Sequence, residues 1–149
     1  MTPPLRRAPL EVIGWREFVG LPDFGVSGIK AKIDTGARTS ALHAFRLEQF
    51  LEGDTLWARF EIHPEQRSSR NALTVITPIV EHRRIRSSNG TVQNRPVIRT
   101  TLEAVGQKFA IDLTLTNRDE MGFRMLIGRA ALRRRFLVDP ARSYYGGKR

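Results

Sequence analysis

The chain has 149 residues and a mass of 17.0 kDa, enough for one domain with one sizeable hydrophobic core. Hydrophobic residues make up 40% of it and charged residues 27%, a composition typical of globular proteins. Cysteine is absent, which excludes disulfides, a thiol nucleophile and cysteine-based metal sites. The sequence has no apolar run of the roughly 18 residues that a membrane-spanning helix needs, and no apolar signal segment follows Arg6 and Arg7. We therefore expect a cytoplasmic protein with no membrane partner.

The positive charge is large and unevenly distributed. The formal net charge is +10, and residues 129–149 alone contribute +6 through seven cations and one anion. Such a surface suits an acidic partner such as RNA, the ribosome or an acidic polypeptide, but it is equally compatible with a plain solvated surface. For stacking on bases, the best candidates are Trp57 and Phe60, which flank Arg59. One hypothesis is therefore a non-catalytic β-barrel binding module.

Apolar and polar residues alternate with period two along most of the chain, which predicts β-strands. The clearest strands are 56–63, 98–104 and 108–115, and shorter candidates are 11–18, 29–33, 42–50 and 75–86. Only residues 129–136 read as a helix, because Leu132 and Phe136 lie four apart with arginines between them. The pattern predicts an all-β fold, a closed β-barrel or sandwich with one short C-terminal helix.

The boundaries of this fold follow from the turn signals and the terminal composition. We expect the folded domain to span residues 10–140. Residues 1–9 and 141–149 are expected to be flexible basic arms, and 64–71 and 87–94 to be mobile loops.

The most informative segment is the short strand ending at Ile33, which runs directly into Asp34-Thr35-Gly36. Gly36 allows a sharp turn whose backbone N–H groups point back at the Asp34 carboxylate, and Thr35 can fix the shape of that turn. A carboxylate held at the end of a rigid strand is half of an aspartic protease site. In such a site two carboxylates share one proton, one activating water and the other donating to the scissile carbonyl.

The tripeptide alone also permits a plainer interpretation. Asp34 or Thr35 could cap a short helix through residues 37–44, because both residue types are good N-caps. A second carboxylate is not obvious within the chain. Asp112 is flanked like a strand-end acid but lacks a following glycine, so we interpret it as a surface residue of its strand.

A second segment favours the protease interpretation. The apolar stretch Met125-Leu126-Ile127 ends in Gly128-Arg129 and leads into the predicted helix. Together with the Asp34 segment, this order resembles the retropepsin-like aspartic proteases. More closely, the chain from residue 12 to 139 is similar to the bacterial family known as ATP-dependent zinc proteases. The matching segments are 15–17, 31–44, 87–90, 95–98 and 124–129.

The resemblance implies roles for particular residues. Asp34, Thr35 and Gly36 would form the catalytic turn, and a supporting layer would contain Ala37, Ser40, Ile127, Gly128 and Arg129. One copy of the turn makes half a dyad, so the resemblance implies a homodimer acting on a polypeptide substrate. Arg38 would contact substrate and favour an acidic segment, and Ser88, Asn89 and Gly90 would replace the glycine-rich flap.

The family label mentions zinc and ATP, but the sequence shows no site for either. No metal ligand set follows from the sequence, because His43, His63 and His82 have no ligand spacing, and there is no phosphate-binding loop. We therefore expect no metal and no cofactor in this chain. The family is associated with the ATP-grasp ligase that adds glutamates to a ribosomal protein, which implies that ligase or the ribosome as partner.

Overall fold

The computed structural model describes residues 9–66, 68–87, 89–117 and 122–147. These ranges are mostly β-strand, so the predicted all-β class is confirmed. The strands are β1 (Glu11–Gly14), β2 (Arg16–Leu21), β3 (Val26–Ile33), β4 (Ser40–His43), β5 (Phe45–Glu52), β6 (Thr55–Ile62), β7 (Leu73–Pro78), β8 (Glu81–Arg86), β9 (Val92–Ala104), β10 (Gln107–Thr116), β11 (Met125–Ile127) and β12 (Phe136–Asp139). The helix α1 spans Arg129–Leu132, and a 3₁₀ turn spans Pro22–Phe24.

Within the described residues, the largest sheet closes on itself. Its order is β10-β4-β11-β3-β2-β9, and β9 also pairs with β10, so these strands form a hydrogen-bonded ring. The β2–β9 closure is narrow, with Gly20 opposite Glu103 as its registered pair. Strand β8 extends the ring beyond β9. A three-stranded sheet β5-β6-β7 and a parallel pair β1–β12 complete the fold.

All three sheets contribute to one hydrophobic core. Most of the alternating residues predicted to face inward are buried, including Phe60 and Ile62 from β6, Leu102 from β9 and Leu113 from β10. Burying one such side chain contributes about 1.5–3 kcal/mol to folding. The period-two pattern therefore identified the correct faces of these strands.

Three predicted strands are each interrupted where the chain changes sheets. Residues 11–18 divide at Trp15, because β1 pairs with β12 whereas β2 pairs with β3. Residues 42–50 divide at Ala44, whose N–H donates to the Thr116 carbonyl at 2.8 Å. Residues 75–86 divide after Pro78, where β7 ends and the chain leaves the three-stranded sheet for β8. Apolar residues lie on both sides of each break, so each segment was predicted as a single strand.

The helix expectations need two corrections. The predicted helix over 129–136 ends at Leu132, because Arg134 adopts a left-handed φ of 66° and Phe136 begins β12 as the register partner of Glu11. The alternative helix over 37–44 is wrong, because residues 40–43 form β4 between β10 and β11.

The C-terminal residues that the structure describes pack on the body of the fold and do not form a free arm. Residues 141–147 contact β1 and β2, and the N–H groups of Tyr145 and Gly146 donate to the Glu17 carboxylate. The Tyr145 hydroxyl also donates to Asp139, which lowers the pKa of Asp139 and raises that of Tyr145. The expectation for residues 1–8, 148 and 149 lies outside the described residues. In the ranges that the structure describes, no helix is long and apolar enough to cross a bilayer.

Candidate active site

The Asp34 turn follows the last residue of β3 and is fixed on both sides of the carboxylate. The Asp34 N–H donates to the Ile127 carbonyl at 2.8 Å, which ties the turn to β11. The Gly36 N–H donates to Asp34 Oδ1 at 3.0 Å, as the sequence predicts. Asp34 is half-buried, whereas Thr35 and Gly36 are exposed. The carboxylate is therefore held in place and yet remains open on one side.

A second layer supports the turn from the start of α1. The Arg129 N–H donates to the Ala37 carbonyl at 2.8 Å, and the Ala130 N–H donates to the Arg38 carbonyl at 3.0 Å. The Arg129 guanidinium also donates to the Thr35 carbonyl at 3.0 Å, a contact that the sequence did not suggest. One arginine thus secures the turn through both its backbone and its side chain.

Gly128 lies against the backbone that follows the turn. Its N–H donates to Ser40 Oγ at 3.1 Å, and a Cβ at this position would lie 2.8 Å from the carbonyl carbon and oxygen of Arg38. Only glycine fits this approach, since backbone atoms cannot move aside as a flexible side chain would. The structure thus brings the predicted supporting residues together around Asp34.

Two of the predicted flap residues, Asn89 and Gly90, lie at the tip of the β8–β9 hairpin. The Gly90 N–H donates to the Ser87 carbonyl at 2.9 Å, and Asn89 Oδ1 accepts the Thr91 N–H at 3.0 Å. Ser88 lies outside the described residues. The hairpin reaches the segment after the Asp34 turn through Arg83, whose Nη1 is 3.5 Å from Thr39 Oγ1.

An arginine pocket opens beside this segment. It is a cavity of about 410 Å³, and its charged lining comprises Arg38, Arg83, Arg99, Arg135 and Asp112. Asp112 accepts from Arg99 Nε at 3.1 Å and lies 3.5 Å from Arg83 Nη2. Four cations against one anion leave the lining strongly positive.

The sequence did not reveal this pocket. Asp112 is a partly exposed residue of its strand, as predicted, and it also joins two arginines of the pocket. A signal for one contact existed: a hairpin folding at Gly106 places Asp112 opposite Arg99, as the register shows. The other arginines come from separate segments, and no spacing links them.

Packing accounts for two of the three histidines and for Phe60. His43 and His63 stack on opposite faces of Phe45, with ring centroids 3.9 and 3.7 Å away. Phe60, proposed for base stacking, is only 1% exposed and lies in the core, so that part of the binding-module hypothesis is wrong. Among the described residues, no group of three or more His, Asp or Glu is placed to hold a metal ion.

Comparison with known proteins supports the fold and the family that the sequence resembles. A family model described as RimB-like, retropepsin-like aspartic endopeptidase RimB, matches residues 12–149. A Legionella pneumophila protein of unknown function, Lpg0085, has a TM-score of 0.71 at 23% identity, over 91% of this chain and 98% of its own. At that identity the likeness shows the fold alone.

The curated relatives are longer proteins with a different name. A probable alpha-L-glutamate ligase of Shewanella halifaxensis is 42% identical over 137 residues, covering 92% of this chain and 30% of the relative. One from Parasynechococcus marenigrum is 42% identical over 136 residues, covering 91% and 29%. The chain thus spans less than a third of the length of these relatives. The family model, matched over nearly the whole chain, shows that this chain belongs to the RimB-like family of retropepsin-like aspartic endopeptidases.

Proposed function

We propose that the chain is an aspartic endopeptidase whose active site forms when the Asp34 carboxylates of two copies meet. The observation that carries the proposal is the fixed turn, in which Asp34 is held by Ile127 and Gly36 with one side open. In the pair, the ionised carboxylate takes a proton from a water molecule while the water oxygen attacks the peptide carbonyl. The protonated carboxylate donates to the carbonyl oxygen, and the amide nitrogen leaves after accepting a proton.

The second copy would cover an apolar face beside the turn. Val12 and Leu137 are register partners on the β1–β12 pair and are 38% and 57% exposed. A recess of about 260 Å³ opens at the turn, lined by Thr35, Arg129, Arg133 and Val138 and by the already buried Leu132 and Phe136. A two-fold axis near Thr35 would bring the two carboxylates together and cover the exposed side chains of Val12 and Leu137.

An acidic polypeptide is the substrate that the charges favour. The arginine pocket begins at Arg38, four residues after Asp34, so a peptide bound at the turn would extend into it. Guanidinium groups bind carboxylates through paired hydrogen bonds. The relatives that share this domain are named probable alpha-L-glutamate ligases, which supports a role linked to glutamate ligation. We propose that this role lies in the cytoplasm, with the ribosomal-protein glutamate ligase or the ribosome as partner.

The proposed function is tested by hydrolysis of an unstructured acidic polypeptide across pH. A carboxylate pair that shares one proton is active only between the loss of its first and second protons. Activity should therefore rise and fall on the acidic side of neutrality. A rate that increases steadily to alkaline pH would contradict the shared-proton mechanism.

The arginine pocket gives a separate expectation about specificity. Replacing Arg99 with glutamine should raise the KM for an acidic polypeptide about tenfold, because one charge-assisted hydrogen bond is lost. The kcat should change little, and a neutral polypeptide should show no change in KM. Arg59→Gln, which removes an exposed arginine on β6 outside the pocket, is the matched control. Equal effects of the two substitutions would mean that only the overall charge matters.

A further inference from the structure

A buried carboxylate outside the active site ties the two ends of the described chain together. Glu17 in β2 is completely buried. Its Oε2 accepts from the N–H groups of Gly14 at 2.7 Å and Tyr145 at 2.9 Å, and its Oε1 accepts from the Gly146 N–H at 3.0 Å. Burial of a charge is costly unless such donors satisfy it. Two of these three donors belong to the C-terminal residues.

These residues form what we call the C-terminal strap, residues 141–147. The strap lies across the bend between β1 and β2: the Trp15 N–H donates to the Arg142 carbonyl at 3.0 Å, and the Tyr144 N–H donates to the Arg16 carbonyl at 3.1 Å. The approach is close, because a Cβ on Gly14 would lie 2.5 Å from the Arg142 oxygen. The Tyr144 ring also stacks on Phe18, with centroids 5.1 Å apart.

Trp15 connects the strap to the active-site turn. Its N–H is bonded to the strap, while its carbonyl accepts the Ile33 N–H at 2.9 Å. Ile33 directly precedes Asp34. A displacement of the strap would therefore reach the residue before the proposed catalytic carboxylate through one peptide segment.

We infer that the C-terminal strap is a latch, held on the body by Glu17, that positions the Asp34 turn through Trp15. Glu17 is then a positioning residue rather than a catalytic one. The positioning role rests on the proposed function, since it takes Asp34 to be catalytic. The latch itself rests only on the contacts of Glu17, Trp15 and the strap.

The latch is tested with Glu17→Gln in a Trp57→Phe background, where Trp15 is the remaining tryptophan. In the glutamine side chain an NH₂ group replaces one of the two acceptor oxygens. This donor then faces a backbone N–H group, so at least one hydrogen bond is lost. Hydrogen exchange of the Tyr145, Gly146 and Ile33 amides should accelerate about tenfold or more, and Trp15 emission should change. Glu11→Gln, an exposed glutamate on β1, should leave both readouts unchanged. Unaltered exchange and emission in Glu17→Gln would overturn the latch.

A truncated chain that ends at Ala141 separates the latch from a general loss of stability. Without the strap, Glu17 retains only the Gly14 N–H, so Glu17→Gln should add little to the effect of truncation on Ile33 exchange and Trp15 emission. An equal effect of Glu17→Gln with and without the strap would show that Glu17 acts elsewhere. Truncation also provides the readouts if Glu17→Gln does not fold, because it leaves Glu17 in place.

The positioning role is tested by kinetics on the same variants. Release of the strap should lower kcat about tenfold, because the Asp34 turn is then displaced. The KM should be unchanged, because the strap does not line the arginine pocket. A strap that is released with no change in kcat would overturn the positioning role. Failure of the proposed function is recognised differently: Asp34→Asn would then be as active as the unmodified chain, while the exchange and emission results stand.

Discussion

Replacing Asp34 with asparagine is expected to reduce peptide hydrolysis by about 10³- to 10⁴-fold, because an amide can neither take a proton from water nor share one with its mate. The fold should persist. Asparagine keeps an oxygen in the Oδ1 position that accepts the Gly36 N–H, and the half-buried side chain changes by one atom. The free energy of unfolding should therefore change by about 1 kcal/mol or less.

The measurement compares initial rates and thermal unfolding for Asp34→Asn and a matched control. Asp54→Asn removes an exposed carboxylate from the turn between β5 and β6, so it changes the net charge equally without touching the site. We expect it to retain full activity. Hydrolysis by Asp34→Asn within a few-fold of the unmodified chain would remove Asp34 from the mechanism.

Replacing Gly128 with alanine is expected to destabilise the fold and disturb the active-site turn together. The new Cβ would lie 2.8 Å from backbone atoms of Arg38 and Thr39, and the Arg38 carbonyl accepts the Ala130 N–H at the start of α1. Overpacking of this kind costs about 1–3 kcal/mol, and backbone neighbours place it at the upper end. Because the Ser40 Oγ bond to the Gly128 N–H would also lengthen, we expect activity to fall by more than the unfolded fraction accounts for.

Denaturant unfolding and specific activity check this expectation. Gly20→Ala in β2 is the control, since the nearest atoms to its Cβ, the Glu103 Cβ and the Val26 carbonyl oxygen, lie at an ordinary contact distance of 3.4 Å. It should cost less than Gly128→Ala and leave the activity of the folded fraction unchanged. A Gly128→Ala variant as stable as the unmodified chain would mean that the backbone of the turn can shift at little cost.

The shape of the Asp34 turn was predictable because its determinants are local in sequence. The Gly36 N–H donates to the Asp34 carboxylate two residues away, and the Ile127-Gly128 segment shows its own strand-to-helix boundary. The inward faces of β6, β9 and β10 followed from alternation for the same reason. The segment that changes sheets at Trp15 has apolar residues on both sides of the break, so it was predicted as one strand.

The parts that were missed depend on contacts between distant segments. Arg38, Arg83 and Arg135 meet in one pocket only because the segment before β4, the strand β8 and the chain after α1 converge. The C-terminal strap looked like a flexible arm because its residues are polar and rich in glycine. Glu17 holds the strap through backbone N–H groups. Every sequence contains such donors, so no residue pattern predicts this contact.

The symmetric carboxylate pair is tested most directly by mixing the unmodified chain with Asp34→Asn at constant total concentration, after subunits have exchanged. A mixed dimer holds one carboxylate at the dyad and should be inactive. Total activity should therefore fall as the square of the fraction of unmodified chain, so that equal parts retain about a quarter of the activity. A linear fall, with about half retained, would show that each chain acts alone and would contradict the shared site.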